Sequence, residues 1–476
     1  MPSPLTRRDF TKFALTGGAC ASFSSVLSRP ARAVPASNKL NIACVGAAGK
    51  GWDDMIGVSG EGALHNIVAI CDIDHRDGGI QPGNLAPVQL ARPLGIGAAR
   101  KKFPRAKLYS DFRKMLEQRD IDAVTVSTPD HMHATVALSA MALGKHVFVQ
   151  KPLTQTVHEA RILREAARAK GLITQMGNQH HSGAGYRCAV KMIQDGVIGR
   201  VRHAYSTVSA RPVWPLDIKT ASDVESPPPD VDWDLWLGVG KVRPYRPHAY
   251  HNFNWRAWKE YGTGMLGDLG CHVMDSVVWS LDLGAPRTVR AQVSNVDPEV
   301  YPEWSIVEYE FAGTKYAVDG FRLTWTDGRK PAIDPSHLFE GMPVPGGGSL
   351  LIGEKGAMAV SSGSAPRLYP QTAFRDYSVT TLKEMFAAFA AEKRDHYKMW
   401  PDAILAGKEA NSPFEYAGHL TETVMLGTIA QRIPDRVLHW NAASLAFDER
   451  EATALVRRQY RKGWEIGALV SNQFRS

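Results

Sequence analysis

Leu40-Asn41-Ile42-Ala43-Cys44-Val45-Gly46-Ala47-Ala48-Gly49-Lys50-Gly51 joins a short, mostly apolar run to a glycine-rich hexamer. The run predicts a buried parallel strand, and the hexamer falls where such a strand turns into a helix. Glycine at 46 permits a tight turn, and glycine at 51 lets the helix pack close to the strand. The middle position of the usual pattern is Ala48, whose methyl group narrows the approach of a phosphate beside Gly49. The free N–H groups at the start of the following helix suit a pyrophosphate. A second apolar run, His65 to Cys71, leads into Asp72-Ile73-Asp74, and Asp72 stands 21 residues past Gly51. An acid at about 20 residues is where ribose hydroxyls are held. Gly46, Ala48, Gly49, Gly51 and Asp72 are therefore the expected dinucleotide site. Asp72 would repel a 2′-phosphate and favours NAD, while Arg76 close by leaves NADP open. The competing readings are a plain tight turn and a turn-capping carboxylate.

Working outward, Val124–Ser127, His146–Val149 and Leu172–Met176 read as further strands. Trp52–Val58, Ala134–Leu143 and His158–Lys170 read as the helices between them. Strands alternating with helices predict a right-handed, mostly parallel α/β sheet. Residues 77–97 break the pattern with glycines and prolines and read as a loop insertion. After about residue 180 the character changes. Alternating runs such as Ser305–Phe311 and Ala317–Trp325 predict a half-buried, largely antiparallel sheet. Residues 326–349 read as a long surface loop, and Phe414–Arg432 and Ala452–Arg461 as helices. The expected architecture is α/β: a Rossmann dinucleotide-binding domain over 38–177, then an α+β domain over 178–476 with a large, mostly antiparallel open sheet.

The N-terminus carries Thr6-Arg7-Arg8-Asp9-Phe10-Thr11-Lys12, an uncharged run from Phe13 to Ser28, and Ala31-Arg32-Ala33. Paired arginines, an apolar run and a small-residue cleavage site in that order read as a twin-arginine signal peptide over 1–33, with export to the periplasm. The run falls short of the ~20 strongly apolar residues of a membrane span, so no span is expected in the mature protein. Five cations against one acid in this leader bring the net charge of +8 down to +4 for the remainder. The remaining charge is dispersed, with no basic block, which sets aside a nucleic-acid partner. Cys44, Cys71, Cys188 and Cys271 are widely spaced in apolar segments and read as buried small residues, not a metal set.

Three more segments carry chemistry. Lys151 follows a predicted buried strand and precedes Pro152, which places it at the carboxyl edge of the sheet, where α/β sheets bind ligands. Asp268 and His272 stand four apart on a predicted helix and share one face. There a carboxylate can hold a substrate hydroxyl while an imidazole accepts its proton. Taken alone, the pair also reads as a capping aspartate with a core histidine. Gly144-Lys145-His146-Val147-Phe148-Val149-Gln150-Lys151-Pro152 resembles the Gly-Lys-His-Val-x-x-Glu-Lys-Pro stretch of the Gfo/Idh/MocA family (glucose–fructose oxidoreductase, inositol dehydrogenase, rhizopine catabolism). Gly262-Thr263-Gly264-Met265-Leu266-Gly267-Asp268-Leu269-Gly270-Cys271-His272 resembles its Gly-Gly-x-x-x-Asp-x-Gly-x-His signature. Thr128-Pro129-Asp130-His131-Met132-His133 resembles its Thr-Pro-x-x-x-His turn.

The resemblance implies an NAD(P)-dependent oxidoreductase of sugars, glycosides or polyols. On that model His272 is the base, Lys151 polarises the reacting hydroxyl and Asp268 positions the substrate. Thr128, Pro129, His133, Gln150, Lys151 and Asn178 join the cofactor site. Gln150 stands where the family carries glutamate and removes a charge that would pair with Lys151. The Trp-rich segment from 214 to 258 reads either as a sugar platform, with Arg211, Trp214, Tyr250, His251, Asn254, Trp255 and Arg256 at the substrate, or as a core corner. An exported enzyme has no NAD pool to draw on, so the cofactor is expected to stay bound. The alternative is a redox-neutral glycoside-cleaving enzyme that oxidises its sugar transiently. The resemblance also implies a homo-oligomer, dimer or tetramer, and no metal is expected.

Overall fold

The computed structural model describes residues 38–466 apart from 79–91, 94, 211, 213, 216, 221, 330–331, 339–341, 343–345 and 362. The leader, most of the 77–97 insertion and Arg211 lie outside the described residues. Six strands form the first sheet: β1 (Asn41–Val45), β2 (Asn66–Cys71), β3 (Lys107–Tyr109), β4 (Ala123–Val126), β5 (His146–Val149) and β6 (Thr174–Met176). Their order is β3-β2-β1-β4-β5-β6 and every pair is parallel. This is the doubly wound dinucleotide-binding order, whose ligand lies across the carboxyl ends of the strands. Only β3 escapes the sequence reading. It is three residues long and stays largely exposed at the sheet edge, so no apolar run marks it.

The flanking helices follow local signals. Helix α1 (Lys50–Ser59) ends at Gly60 in the left-handed conformation, α2 (Phe112–Met115) is capped by Asp111, and α3 (Asp130–Ala142) is buried along its whole length. Helix α4 (Val157–Lys170) opens on a reciprocal cap in which Thr156 Oγ1 accepts from Glu159 N and Glu159 Oε2 accepts from Thr156 N.

The second sheet has nine strands: β7 (Val201–Val208), β8 (Pro286–Val293), β9 (Ser305–Phe311), β10 (Ala317–Asp327), β11 (Gly347–Gly353), β12 (Ala357–Val360), β13 (Arg367–Tyr369), β14 (Leu438–Asn441) and β15 (Ala446–Phe447). Their order is β13-β12-β11-β7-β10-β9-β8-β14-β15. Only β7 and β10 pair in parallel. Val307, Tyr309 and Phe311 of β9 alternate into the core with Phe321, Leu323 and Trp325 of β10. Helices α5 (Trp233–Leu237), α6 (Gly264–Val273), α7 (His396–Ala406) and α8 (Phe414–Ala430) complete the elements that matter for the site. Gly427 of α8 lies so close to β9 that a Cβ there would sit 2.0 Å from Tyr309 Oη.

Two expectations need correction. The helix expected over 452–461 stops at Ala454; beyond it Arg458, Tyr460 and Arg461 bond outward to Gln155, Glu159 and Asp234. The surface loop expected from 326 loses its first residues to β10. The buried Asp327 carboxylate accepts from Ser305 N, Ser305 Oγ and Trp325 Nε1 at 2.7–2.9 Å and extends the strand pair.

Candidate active site

The carboxyl ends of β1, β2 and β4 open into a cavity of about 350 Å³ that runs from Asp72 and Phe112 to Lys151 and His272. Gly46 has a φ of +82°, and a Cβ there would sit 2.5 Å from Ser127 O; at Gly51 it would sit 2.1 Å from Gly46 O. Glycine is therefore required for the turn to nest on β4. The N-cap of α1 is Gly49, with no side chain capping the helix, and Gly46, Ala48 and Gly49 line the cavity. That cradle at a helix start, free of side chains beyond one methyl group, fits a pyrophosphate.

Asp72 lines the same cavity. Its Oδ2 accepts from Ala47 N at 2.8 Å and its Oδ1 from Asp74 N at 3.1 Å, so it also shapes the glycine turn. Burial pushes its carboxyl up. Asp74 accepts from Arg76 Nε at 2.7 Å and pairs with His251 Nε2 at 2.8 Å. Burial opposes its ionisation, but these partners outweigh it and hold the carboxyl well below the usual range. Arg76 is thereby committed to Asp74. Arg92, paired with Asp53 at 2.7 Å, and Lys50 add positive charge beside the glycine turn.

At the far end, Lys151 Nζ donates to Asp268 Oδ1 at 2.6 Å and to Asp268 O at 2.8 Å. Arg256 Nε reaches the same Oδ1 at 3.3 Å. Burial raises the Asp268 carboxyl, yet the two cations more than reverse this and keep it ionised. One turn on, the His272 ring lines the cavity with its centroid 4.8 Å from that of His180. Its Nδ1 has no hydrogen-bond partner. Burial, then the Lys151 ammonium and His180, push its pKa well down, so the imidazole is neutral at pH 7. Asp130 closes this end with Thr263 Oγ1 donating to its Oδ2 at 2.5 Å, and burial pushes its carboxyl up to about 7.

Two models of one family match the chain. The oxidoreductase-family NAD-binding Rossmann fold covers residues 40–178, and the family's C-terminal alpha/beta domain covers 189–330. The chain belongs to the Gfo/Idh/MocA family. Among curated relatives of the family, levoglucosan dehydrogenase of Pseudarthrobacter phenanthrenivorans is 27% identical over 210 residues, 44% of this chain and 45% of the relative. A scyllo-inositol 2-dehydrogenase (NADP(+)) of Bacillus subtilis is 26% identical over 249 residues, 52% of this chain and 54% of the relative. The matches thus span about half the length of these relatives. The WlbA dehydrogenase of Bordetella pertussis, solved with NADH and UDP-GlcNAcA, shares the fold with a TM-score of 0.56 at 16% identity, over 85% of this chain and 98% of that one. Levoglucosan dehydrogenase solved with NADH and levoglucosan gives 0.52 at 18% identity, over 84% and 99%.

Within this family frame, Gly46, Ala48, Gly49, Asp72, Thr128, Pro129, Gln150, Lys151, Asp268 and His272 all line one cavity, with Gly51 packed beneath it. His133 also borders it, but its Nδ1 lies 2.8 Å from Pro152 O and its Nε2 2.9 Å from Thr128 O. It braces two loops and has no nitrogen left for a cofactor; burial pushes it down to about 4. Asn178 is displaced from expectation: it is fully buried and donates to Asp275 Oδ2 at 3.3 Å, away from the cavity lining. Of the aromatic segment, His251, Trp255 and Arg256 reach the cavity. Trp214 and Tyr250 pack in an aromatic core with Trp236, Trp258 and Tyr261, and Asn254 Nδ2 donates to His248 O. These three are core-corner residues, not a sugar platform.

Gln150 Oε1 accepts from Lys151 N at 3.4 Å, but its amide nitrogen turns to another carboxylate. Its Nε2 donates to both oxygens of the buried Asp54 at 2.9 Å. Ser127 Oγ donates to Asp54 Oδ2 at 2.7 Å, and Lys50 forms an ion pair with Oδ1 while donating to Tyr397 Oη at 2.8 Å. No motif marks Asp54, Arg92, Trp236 or Trp464, because their approach to the cavity is made by folding, not by spacing. The only sequence signal was available at Gln150, whose missing charge asks where a replacement carboxylate lies. Among the described residues no cluster of three His, Cys, Asp or Glu is arranged to hold a metal, and no helix is long and apolar enough to cross a membrane.

Proposed function

We propose that the protein is an NAD-dependent oxidoreductase acting on a hydroxyl of a sugar, glycoside or polyol. The observation that carries the reading is the neutral, unpartnered His272 imidazole one helical turn from the Lys151–Asp268 pair, at the end of a cleft whose other end is a dinucleotide cradle. Bound in that cleft, the nicotinamide supplies hydride transfer. His272 takes the proton of the substrate hydroxyl. Lys151 turns from Asp268 toward the substrate oxygen and stabilises its developing charge. Asp268 and Arg256 hold neighbouring hydroxyls through paired acceptor and donor groups. The commitment of Arg76 to Asp74, with Asp72 at the ribose position, supports NAD over NADP. The sugar-class assignment draws support from the levoglucosan and inositol dehydrogenases among the relatives.

The leader supports export of the folded protein with its dinucleotide already bound, to the periplasm, followed by turnover without cofactor exchange. Purified protein should release nicotinamide dinucleotide on denaturation. A panel of sugars and polyols should reduce the bound cofactor, read by nicotinamide absorbance, in the parent and not in His272→Ala. Reduction that persists in His272→Ala would remove the assigned base.

A further inference from the structure

The nucleotide cleft is closed by a part of the chain that no motif marks. After Ala454 the polypeptide leaves the second sheet and runs back across the first domain. Val456 O accepts from His158 N at 3.2 Å at the start of α4. Arg458 Nη2 pairs with Glu260 at 3.2 Å, Tyr460 Oη donates to Glu159 Oε1 at 2.6 Å, and Arg461 N donates to Val239 O at 3.0 Å. Arg461 also clasps Asp234 of α5, with Nη1 to Oδ1 at 2.5 Å and Nη2 to O at 3.0 Å. So anchored, the segment delivers Trp464 to the cavity wall with only 5% of its surface exposed. The Arg113 guanidinium of α2 lies 4.5 Å from the centre of its ring.

The position of Trp464 in the cleft decides its role. It lines the same cavity as Asp72, and with Phe112, Met132 and Val136, which line it too, it belongs to one buried apolar cluster with Leu235 packed against it, an apolar enclosure next to the end of β3. A dinucleotide laid across the carboxyl ends of the strands, with a ribose at Asp72 and the nicotinamide near Lys151, puts its adenine in that enclosure. We infer that Trp464, held by the 455–466 segment, is a cofactor-binding residue that encloses the adenine and slows release of the dinucleotide. The inference rests on the proposed dinucleotide site and adds that cofactor retention is built by the chain's own C-terminal segment. An apolar wall buried against a ring removes aromatic surface from water, and anchors of this kind dominate binding energy. Ionic or hydrogen-bonded tethers at Val456, Arg458, Tyr460 and Arg461, all on one short segment, mean that the wall must be peeled away before the adenine can leave.

The test uses the full chain. NADH is loaded and its dissociation is followed by loss of nicotinamide fluorescence after dilution into excess NAD. Trp464→Ala should release NADH about tenfold faster or more and Trp464→Phe should stay within about threefold of the parent, both measured well below the thermal midpoint of the nucleotide-free variant. In the parent protein, NADH should lower deuterium uptake at amides 458–466, a measurement that needs no variant to fold. Parent protein that binds NADH, with unchanged uptake over 458–466 or with an unchanged release rate in folded Trp464→Ala, overturns the inference and leaves the dinucleotide site standing. Parent protein that binds no NADH overturns both.

Discussion

Replacing Gln150 by glutamate restores the residue common in the family, and the structure says that the change should be costly here. Gln150 Nε2 donates to both oxygens of Asp54 at 2.9 Å, and the Asp54 side chain is fully buried. Glutamate turns two favourable contacts into opposed carboxylates. At an effective dielectric of about 20, unit charges about 3 Å apart repel by ~5.5 kcal/mol. Taking up a proton at pH 7 instead costs about 3.7 kcal/mol, from ~1.36 kcal/mol per pH unit above a glutamate reference near 4.3. Protonation is the cheaper route, so the variant folds with one shared proton. Lys50, already on Asp54, returns part of the cost, which leaves about 2–4 kcal/mol of destabilisation at pH 7. The sign with pH follows. A group whose pKa is raised on folding contributes stability below its unfolded value and loses it as pH rises, so the deficit should grow from pH 5 to pH 8. Urea unfolding of parent and variant at both pH values measures this. In the double variant Asp54→Asn/Gln150→Glu the amide and the carboxylate exchange places, and most of the loss should return. A Gln150→Glu variant as stable as the parent at pH 8, or one that Asp54→Asn fails to rescue, would refute the charge exchange.

The remaining predictions concern the cleft and its histidines. His272→Ala should lower kcat about 10²- to 10⁴-fold while leaving NADH affinity within a few-fold, checked by turnover and by fluorescence titration. Because burial and Lys151 depress the His272 pKa, the acidic limb of kcat/KM in the parent should lie below pH 6.5. Asp72→Ala removes the acceptor of Ala47 N–H and the proposed ribose partner, and should weaken NAD binding about tenfold or more in calorimetry and NADP binding by less. Burial pushes His133 and His396 down to about 4. Their neutral forms contribute stability that is complete above about pH 6.5 and is lost as pH falls toward 4, by roughly 3 kcal/mol each. A thermal midpoint that stays flat from pH 7 to pH 4 would contradict that burial.

What was legible in the sequence depended on whether the signal was local. Five of the six parallel strands announced themselves because buried parallel strands are continuous apolar runs, whereas β3 at the edge carries Lys107 and an exposed Leu108. Lys151, Asp268 and His272 converge as read, since a strand end and one helix face fix them. Asn178 and His133 were misplaced in role because their segments lie near the site while their polar atoms turn to Asp275, Pro152 and Thr128. The Trp-rich segment could not be divided by inspection. Trp255 and Trp258 both belong to the aromatic core, yet only Trp255 also borders the cavity, a difference set by the turn at Asn254–Ala257 and not by composition.

Besides Asp268 and His272, the second half of the chain sends three groups to the dinucleotide end of the cleft or to the residues that shape it. Tyr397 of α7 accepts from Lys50 beside the glycine turn, His251 pairs with Asp74 next to Asp72, and Trp464 closes the apolar end. None of the three contacts survives separation of the two halves, so the cleft reaches its closed form only when the C-terminal segment has docked. A dinucleotide that binds the closed form and not the open one stabilises that docking in turn, by ~2.7 kcal/mol when present at a hundred times its Kd. Once residues 455–466 are in place, release requires that they undock first. The feature proposed to retain the cofactor is thus the docked 455–466 segment, and not the glycine turn by which the site is recognised.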